Sequence, residues 1–531
     1  MSGAPALVPA PLAPPGGLAD AFLRGEGTAR ELFPPTAWEP APPTASPGAS
    51  RLPGEAFHAS GPGARERLAR ILEGDGVFVT AGHQPVLFLG PLYVLYKLLS
   101  AVEVARRLER LTGRPALALF WIASDDHDWQ EVGATRVIDT RNELREVRLL
   151  PPSGAERRSV GIAPVPDGIA DLIDDVAKYL PGSPLTDTYI TLLRDTYRPG
   201  LTLAEGFAGL LGGVADGVRF AWLDSASPEV KRAAVPLLER ALREAEALER
   251  GLEEGARRIR GAGYDPPIHL EPGATTVFLD TGTMRERIRW KEGAEDPGSR
   301  PPREEILAAL AESPERFSPN VALRPVLESW LLPVGATVLG PGEIAYWSQL
   351  HDLFRSLDTP FPPVRPRLSW LVLEQKIGKV LEKSGAEPSE LADGGRAVAE
   401  RHLHQARPEA VSEALRALRA SLGHEMDRVE EAIGAHLSGI RSAAGKAKSQ
   451  LFQAVGDLEK RIDSRIREDQ EVLRGQIRKA ALHLYPGGKP QERVASPLYF
   501  LARYGASFLK ELARRGAEAT PPLWPDAPPR E

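Results

Sequence analysis

The sequence contains no cysteine in 531 residues. This excludes disulfides, thiolate metal ligands and a cysteine nucleophile. No apolar run approaches the roughly 20 residues that a membrane-spanning helix needs. Residues 1–17 are rich in Pro and Ala and lack a basic stretch ahead of an apolar one, so they do not resemble a signal peptide. We therefore expect a cytoplasmic protein without a membrane partner.

The sequence also has no excess of positive charge. Its 66 basic and 72 acidic residues give a net charge of -6. Binding to phosphate backbones requires clustered Lys and Arg, so we expect no nucleic-acid partner. The chain contains neither a G-x-x-x-x-G-K-[ST] phosphate loop nor a G-x-S-x-G nucleophile turn. These absences exclude a P-loop nucleotide site and a serine nucleophile on a turn of the G-x-S-x-G type.

The region from 66 to 375 alternates short β-rich runs with amphipathic runs. Residues 77–81 predict a buried strand, a helix follows Pro91 and ends near Gly113, and 116–123 predict a second strand. Further strands are predicted at 218–223, 275–279 and 334–339, and a helix from 343 to about 356. This alternation favours an α/β fold, a Rossmann-like doubly wound core with connecting insertions. Residues 1–65 form a Pro/Ala-rich lead-in with one short helix near 18–24.

The later chain changes to Ala, Leu, Glu, Arg and Lys. Apolar residues follow a 3-4 spacing on both sides of a break at 434–445, which predicts a C-terminal α-helical antiparallel coiled-coil domain over 376–484. An ordinary amphipathic helix pair is the alternative. Residues 485–515 are expected to pack back on the core, and 516–531 to form a disordered tail.

Three loops follow predicted strands, where doubly wound sheets bind ligands. The first contains Thr80, Gly82, His83 and Gln84. A glycine at this place lets backbone N–H groups approach an anion, and a following helix start adds a positive dipole end. Lys97 in that helix is a further candidate anion ligand. The alternative is a purely structural turn.

The second loop is Asp125-Asp126-His127-Asp128. A histidine held by a carboxylate is suited to general base catalysis near neutral pH. We therefore predict His127 as the base, oriented by Asp126 or Asp128. Carboxylates and imidazole also suit Mg, Mn or Zn, but no second cluster at ligand spacing accompanies them, so no metal site is predicted. A solvated acidic turn is the remaining alternative.

The third element combines Asn320 and Arg324 with the turn Gly340-Pro341-Gly342 and its helix. Arg324 can fork onto a carboxylate or phosphate, and the turn has anion-binding geometry. Glu343 is a candidate ligand for an ammonium group, or a favourable charge on the helix dipole. Tyr346 and Trp347 are predicted to wall the pocket.

These segments together resemble one family, the bacillithiol biosynthesis cysteine-adding enzymes, BshC. The resemblance lies in residues 80–97, 120–132, 318–349 and 484–509. It implies a Rossmann-like core, a coiled coil that supports a homodimer, and addition of L-cysteine to the amino group of glucosaminyl-malate in the last step of bacillithiol synthesis. Ser124-Asp125 replaces a common Gly-Glu pair, and His83 stands where Gln is often seen, so Gln84, Asp126 and His127 carry over best.

Amide formation from a free carboxylate requires activation, for which we expect ATP with Mg²⁺ and no tightly bound cofactor. In this interpretation the turns at Gly82 and Gly340 hold phosphate or the malate carboxylates. Arg324 and Lys97 neutralise developing negative charge, and His127 deprotonates the amine. Two alternatives stay open: a class I synthetase-like nucleotidyl transferase for another amine and carboxylate pair, and a non-catalytic nucleotide-binding coiled-coil scaffold.

Overall fold

A computed structural model describes residues 5–38, 50–152, 157–269, 271–290, 302–437 and 440–518. The chain divides into two compact units, Met1–Val372 with Glu492–Glu531, and Leu373–Gln491. The strands, numbered in chain order, are β1 (Ala6–Pro9), β2 (His58–Ser60), β3 (Val77–His83), β4 (Ala116–Ile122), β5 (Ala134–Ile138), β6 (Leu144–Arg148), β7 (Phe220–Asp224), β8 (Ala274–Asp280), β9 (Arg285–Arg289), β10 (Phe317–Pro319), β11 (Val334–Leu339), β12 (Val364–Pro366) and β13 (Trp370–Leu373).

The helices are likewise numbered in chain order. They are α1 (Leu18–Leu23), α2 (Gly27–Glu31), α3 (Ala64–Leu72), α4 (Tyr93–Thr112), α5 (Trp129–Val132), α6 (Ile169–Tyr179), α7 (Pro184–Thr196), α8 (Leu203–Val214), α9 (Pro228–Arg243), α10 (Ala245–Gly261), α11 (Arg303–Glu312), α12 (Leu323–Leu331), α13 (Pro341–Trp347), α14 (His351–Ser356), α15 (Gln375–Ser384), α16 (Arg396–Ala406), α17 (Glu409–His436), α18 (Arg441–Leu484), α19 (Pro497–Tyr504) and α20 (Ala506–Glu518).

The main sheet has six strands in the order β12-β11-β3-β4-β7-β2. Five run parallel, and β2 pairs antiparallel with β7 at the edge. The chain proceeds from β3 to β4 and β7, then returns to the other side of β3 with β11 and β12. The strand order therefore reverses between β3 and β11, and this crevice is where such sheets bind ligands. The doubly wound Rossmann-like core is confirmed.

Both faces of the main sheet are covered, as its uniformly buried central strand requires. Every residue of β4 is buried. Leu117 and Trp121 on one face join the core formed with α9, α10 and α12. Phe120 on the other face packs on Phe207 of α8, with ring centroids 6.1 Å apart. The near-continuous apolar sequence of β4 is explained by this burial on both sides.

The N-terminal residues do more than lead into the core. The helix expected near 18–24 is present as α1, and the same segment also supplies β2 to the main sheet. Phe22 stacks on Trp38 with ring centroids 4.4 Å apart, and both are buried. The aromatic residues between the prolines are therefore core residues, which the Pro-rich composition concealed.

Two other expectations are corrected. The strand predicted at 275–279 exists as β8, but it lies outside the main sheet, in an antiparallel sheet of order β10-β8-β9. The helix predicted over 343–356 is two helices, α13 and α14. Gln349 is buried between these two helices. Its side-chain amide forms hydrogen bonds with the backbone of Leu252 and Ile268.

The second unit contains the predicted coiled-coil hairpin. Helices α17 and α18 run antiparallel, since Arg419 pairs with Glu459 and Lys448 with Asp427. The break is shorter than the predicted 434–445, because α17 extends to His436 and α18 begins at Arg441. The long heptad-like pattern is therefore explained by pairing of α17 with α18.

After this unit the chain returns to the first unit. Helix α20 packs on α4, and Ser496 N donates to Arg136 O at 2.7 Å. Helix α20 continues to Glu518, and the rest of the expected tail lies outside the described residues. Within the described ranges, no helix combines the length and the apolar character needed to cross a membrane.

Candidate active site

A cleft of about 640 Å³ opens at the carboxyl ends of β3, β4 and β11, at the reversal point of the sheet. The three loops singled out in the sequence meet in it. Of the candidate site residues, those lining the cleft are Gly82, His83, Gln84, Lys97, Asp126, His127, Asn320, Arg324, Gly340, Gly342, Glu343 and Tyr346.

Three other candidate residues lie outside this lining. Thr80 is fully buried beside Glu328, below the cleft. Asp128 caps α5, its Oδ1 accepting the N–H groups of Gln130 and Glu131 at 3.0 and 3.1 Å. Trp347 is 1% exposed and packs on Phe361 in the core. Its neighbour Tyr346 points to the cleft because successive helical positions face different directions.

Lys97 and Glu343 form a buried ion pair, with Nζ and Oε2 2.7 Å apart. Lys97 also donates to the carbonyl of Gly82 at 2.7 Å, and Glu343 accepts the N–H of Gly340 at 2.8 Å. Burial lowers the pKa of Lys97 against the opposing effect of Glu343. The Glu343 carboxylate thus already occupies the start of α13, the place that the sequence suggested for a bound anion.

Arg324 is held by two groups, donating to Glu328 Oε2 at 3.1 Å and to the Tyr346 hydroxyl at 3.0 Å. Burial disfavours its charge, but Tyr346, Glu328 and Glu343 outweigh that effect, and its pKa is raised. Gly82 lies against it, since a Cβ there would be 3.6 Å from Arg324 Nη1 and 3.2 Å from Trp121 O. A guanidinium has five donors, so Arg324 keeps donors for a ligand.

His83 is a buried neutral imidazole. Its Nδ1 lies 2.9 Å from the carbonyl oxygen of Gln84 and its Nε2 lies 2.8 Å from the Tyr93 hydroxyl. Burial, with Lys97 nearby, lowers its pKa to about 4. Since a carbonyl can only accept, Nδ1 carries the proton and Nε2 accepts from Tyr93. His83 therefore shapes the cleft with both nitrogens engaged.

His127 is placed differently from the base that the sequence suggests. Arg285 Nη1 approaches its Nδ1 at 3.3 Å, while Asp126 Oδ1 is 3.6 Å away. A guanidinium can only donate, so Nδ1 accepts and the proton of the neutral ring is on Nε2. Burial and Arg285 lower the pKa of His127, which keeps the ring neutral. In this tautomer Nε2 is a proton donor.

Asp126 is fixed by Gln84, which joins the first loop to the second. Gln84 Nε2 donates to Asp126 Oδ2, and the His127 backbone N–H donates to Oδ1 at 2.7 Å. Asp125 pairs with the buried Lys231 at 2.6 Å. The acidic loop is therefore a set of separately anchored carboxylates.

Several cleft residues were missed by the sequence reasoning. Arg285 and Arg287 alternate on β9, and Arg285 lies over the Phe278 ring at 4.0 Å. Arg367 directly follows β12. This three-residue strand was not predicted from the sequence, so the rule that ligands bind at the carboxyl ends of strands was not applied there. The missed residues that line the cleft include Glu131, Arg285, Arg287, Arg367 and Arg493.

Positive charge dominates the cleft. Among the described residues, six cationic and four acidic side chains line it: Lys97, Arg285, Arg287, Arg324, Arg367 and Arg493 against Asp125, Asp126, Glu131 and Glu343. Arg367 is bound by both oxygens of Glu492, at 2.6 and 2.8 Å. Within the described part of the chain, no hydrogen bond or ion pair engages the guanidinium of Arg287 or Arg493. Such a surface favours an anionic ligand. No cluster of three or more His, Asp or Glu able to hold a metal occurs among the described residues.

Comparisons with known proteins agree with this arrangement. Residues 55–368 match the family model "Bacillithiol biosynthesis BshC, N-terminal Rossmann-like domain", and residues 370–517 match its C-terminal coiled-coil domain. A relative from Salinibacter ruber is 30% identical over 84% of this chain and 82% of its own length. One from Koribacter versatilis is 31% identical over 84% of both chains. Both relatives are named "Putative cysteine ligase BshC". The chain belongs to the bacillithiol biosynthesis BshC family.

Proposed function

We propose that this protein is a ligase that joins L-cysteine to the amino group of glucosaminyl-malate, the last step of bacillithiol biosynthesis. The observation that carries the proposal is the cationic cleft at the sheet reversal, faced by the acidic loop. A malate group brings two carboxylates, which guanidinium groups bind well. An amino sugar brings an ammonium, which the acidic side can receive. Both relatives carry cysteine ligase in their names, so we infer that L-cysteine is the other substrate.

Two arginines are suited to the malate carboxylates, Arg287 on β9 and Arg493 after the coiled-coil unit. Both line the cleft, and both have donors available to a ligand. Arg285, by contrast, already donates to Ser318 Oγ at 2.9 Å and to Pro319 O at 3.0 Å. We assign Arg285 to the support of the cleft wall and of His127.

Formation of an amide from a free carboxylate requires activation, which ATP with Mg²⁺ would supply. The donor set fits a polyphosphate, since Lys97 and Arg324 each keep N–H groups beyond those used within the protein. These two side chains would neutralise negative charge beside Gly82. Tyr346 and Tyr93 would exclude water from the reacting groups.

The experiment supplies the purified protein with L-cysteine, glucosaminyl-malate and ATP-Mg²⁺, and follows the thiol product by mass spectrometry. We expect product from the wild type and at most traces from D126N. A matched control is D175N, an exposed carboxylate on α6 that pairs with Lys178. Release of pyrophosphate without thiol product would instead favour a nucleotidyl transferase, and unchanged thiol production in D126N would contradict the assignment of this cleft.

We also propose that two copies associate through the hairpin α17–α18. Its large apolar side chains include several that are between 40% and 47% exposed, namely Leu418, Val429, Leu451 and Leu458. Heptad surfaces of this kind pack on a further helix. Light scattering after size-exclusion chromatography should give twice the chain mass, and V429E with L458E should give the monomer.

A further inference from the structure

The cleft contains several groups able to act as a base, and nearly all are already engaged. Both nitrogens of His83 are bonded, and Nδ1 of His127 accepts from Arg285. Both oxygens of Asp126 accept N–H groups. The carboxylates of Asp125 and Glu343 are paired with lysines at 2.6 and 2.7 Å. None of these groups is free to take a proton from a substrate without losing an existing contact.

Glu131 is the exception among the described lining residues. It lies on α5, directly after the acidic loop, and its side chain lines the cleft. Its backbone N–H is bound by Asp128 Oδ1, but no hydrogen bond or ion pair in the described part of the chain engages its carboxylate. A carboxylate placed in a binding cleft without a partner is available to a ligand.

We propose that Glu131 is the general base of the ligation, accepting a proton from the substrate ammonium so that the neutral amine can attack. This inference rests on the proposed function. In this step one N–H bond of the ammonium breaks and an O–H bond forms on the Glu131 carboxylate, which becomes neutral. The freed electron pair stays on the nitrogen. The step is complete without any other reactant.

The surroundings of Glu131 support this role. Burial raises its pKa, and the negative charges of Asp128 and Asp126 raise it further, while Lys97 opposes them. The pKa of Tyr93 is raised mainly by burial and next by the negative charge of Glu131, so the two side chains lie close together. A carboxylate with a raised pKa is a stronger base than one in water, which favours proton transfer from an ammonium.

The short helix that carries Glu131 is held at both ends. Asp128 caps its start, and Trp129 and Val132 are buried on either side. Gly133 ends it where a Cβ would approach Leu149 O at 2.7 Å and Trp129 O at 2.8 Å. Asp128 is thus a positioning residue that acts through Glu131.

The test compares E131Q with the wild type over a pH series, using cysteine, glucosaminyl-malate and ATP-Mg²⁺. General base catalysis typically contributes 10²- to 10⁴-fold, so we expect kcat of E131Q to fall by about 100-fold near pH 7. The deficit should shrink as the pH rises, because solution then delivers neutral amine. E131D should keep part of the activity. Q130A, an exposed neighbour on the same helix, is the matched control and should match the wild type.

The possible outcomes separate the two proposals. If the wild type makes no thiol product, the proposed function fails. If the wild type is active and E131Q only raises KM for glucosaminyl-malate at every pH, Glu131 binds the ammonium and is not the base. An equal loss of kcat at all pH values would also overturn the inference. Thermal unfolding of E131Q should match the wild type, since no intramolecular contact of the carboxylate is removed.

Asp128 gives a second variant with an independent prediction. D128N keeps an N-cap side chain, and D128A removes it. We expect D128A to lower kcat with a pH profile of the same form as that of E131Q, and D128N to restore it. A loss in D128A with an unchanged pH profile would argue against action through Glu131.

Discussion

Lys97 Nζ lies 2.7 Å from Glu343 Oε2, and the same oxygen accepts the N–H of Gly340 at 2.8 Å. The pair joins α4, which follows β3, to α13, which follows β11. These two strands flank the point where the order of the sheet reverses. The ion pair therefore fixes the two sides of the crevice in which the ligand is proposed to bind.

Removal of Lys97 alone should be costly. K97M leaves Glu343 buried without its cation, and breaking such a pair costs about 3–5 kcal/mol. We expect a loss of about 3 kcal/mol in the free energy of unfolding, measured with urea. The double variant K97M/E343Q should lose less, because no unpaired charge remains. If both variants are equally destabilised, the pairing of the two charges is not the cause.

The contact between Arg285 and His127 predicts a change in the titration of the ring. Burial is the main reason why the pKa of His127 is lowered, and Arg285 is the next. R285Q should therefore raise the pKa of His127, whereas R285K, which keeps the charge, should change it less. NMR titration of labelled histidine, assigned with H127Q, measures both. An unchanged pKa in R285Q would mean that the guanidinium does not contact the ring in solution.

His83 should make the fold sensitive to acid. Its folded pKa is about 4, against about 6.5 in an unfolded chain. Below pH 6.5 the unfolded state binds a proton that the folded state does not, so stability falls as the pH is lowered. By pH 4 the loss is about 3 kcal/mol, because a difference of one in pKa between the two states corresponds to about 1.4 kcal/mol.

H83Q removes this titration while keeping a polar side chain. The stability difference between wild type and H83Q should change between pH 6.5 and pH 4 in favour of the variant. Carboxylates that titrate in both proteins cancel in this difference. A difference that is independent of pH would show that His83 becomes protonated in the folded protein as easily as in water.

Arg287 should affect the binding of the anionic substrate. A hydrogen bond to a charged group contributes about 1.5–3 kcal/mol, so R287Q should raise KM for glucosaminyl-malate by about 10-fold or more. The control is R289Q, which changes the same strand outside the cleft, where Arg289 pairs with Glu271. An equal effect of both substitutions would assign the loss to the strand and not to the cleft.

The strands of the core were predictable because their sequences are locally distinctive. β3, β4 and β11 are short apolar runs bounded by Gly or Pro, and buried parallel strands require such runs. The rule that ligands bind at strand ends then selected the loops at Gly82, Asp126 and Gly340. Phe22 and Trp38 were missed because isolated aromatics between prolines carry no periodicity.

The arginines of the cleft could not be found in this way. Arg287 and Arg493 are separated by some two hundred residues of sequence, including the whole coiled-coil unit, and neither belongs to a motif. Both line the same cleft only because the tertiary fold brings β9 and the segment after residue 491 to it. The tautomer of His127 was also beyond the sequence, because Arg285, whose guanidinium contacts Nδ1, is distant in the chain.

The sequence by itself determined the α/β core, the hairpin and the three loops, because strand burial, heptad spacing and glycine turns are local properties. The tertiary structure decided which charges are paired. It placed Glu343 on Lys97, Asp125 on Lys231 and Arg285 on His127, and it left Glu131 open to the cleft. Whether a carboxylate is a structural ion or an available base depends on its neighbours in space, and the order of residues along the chain does not specify those neighbours.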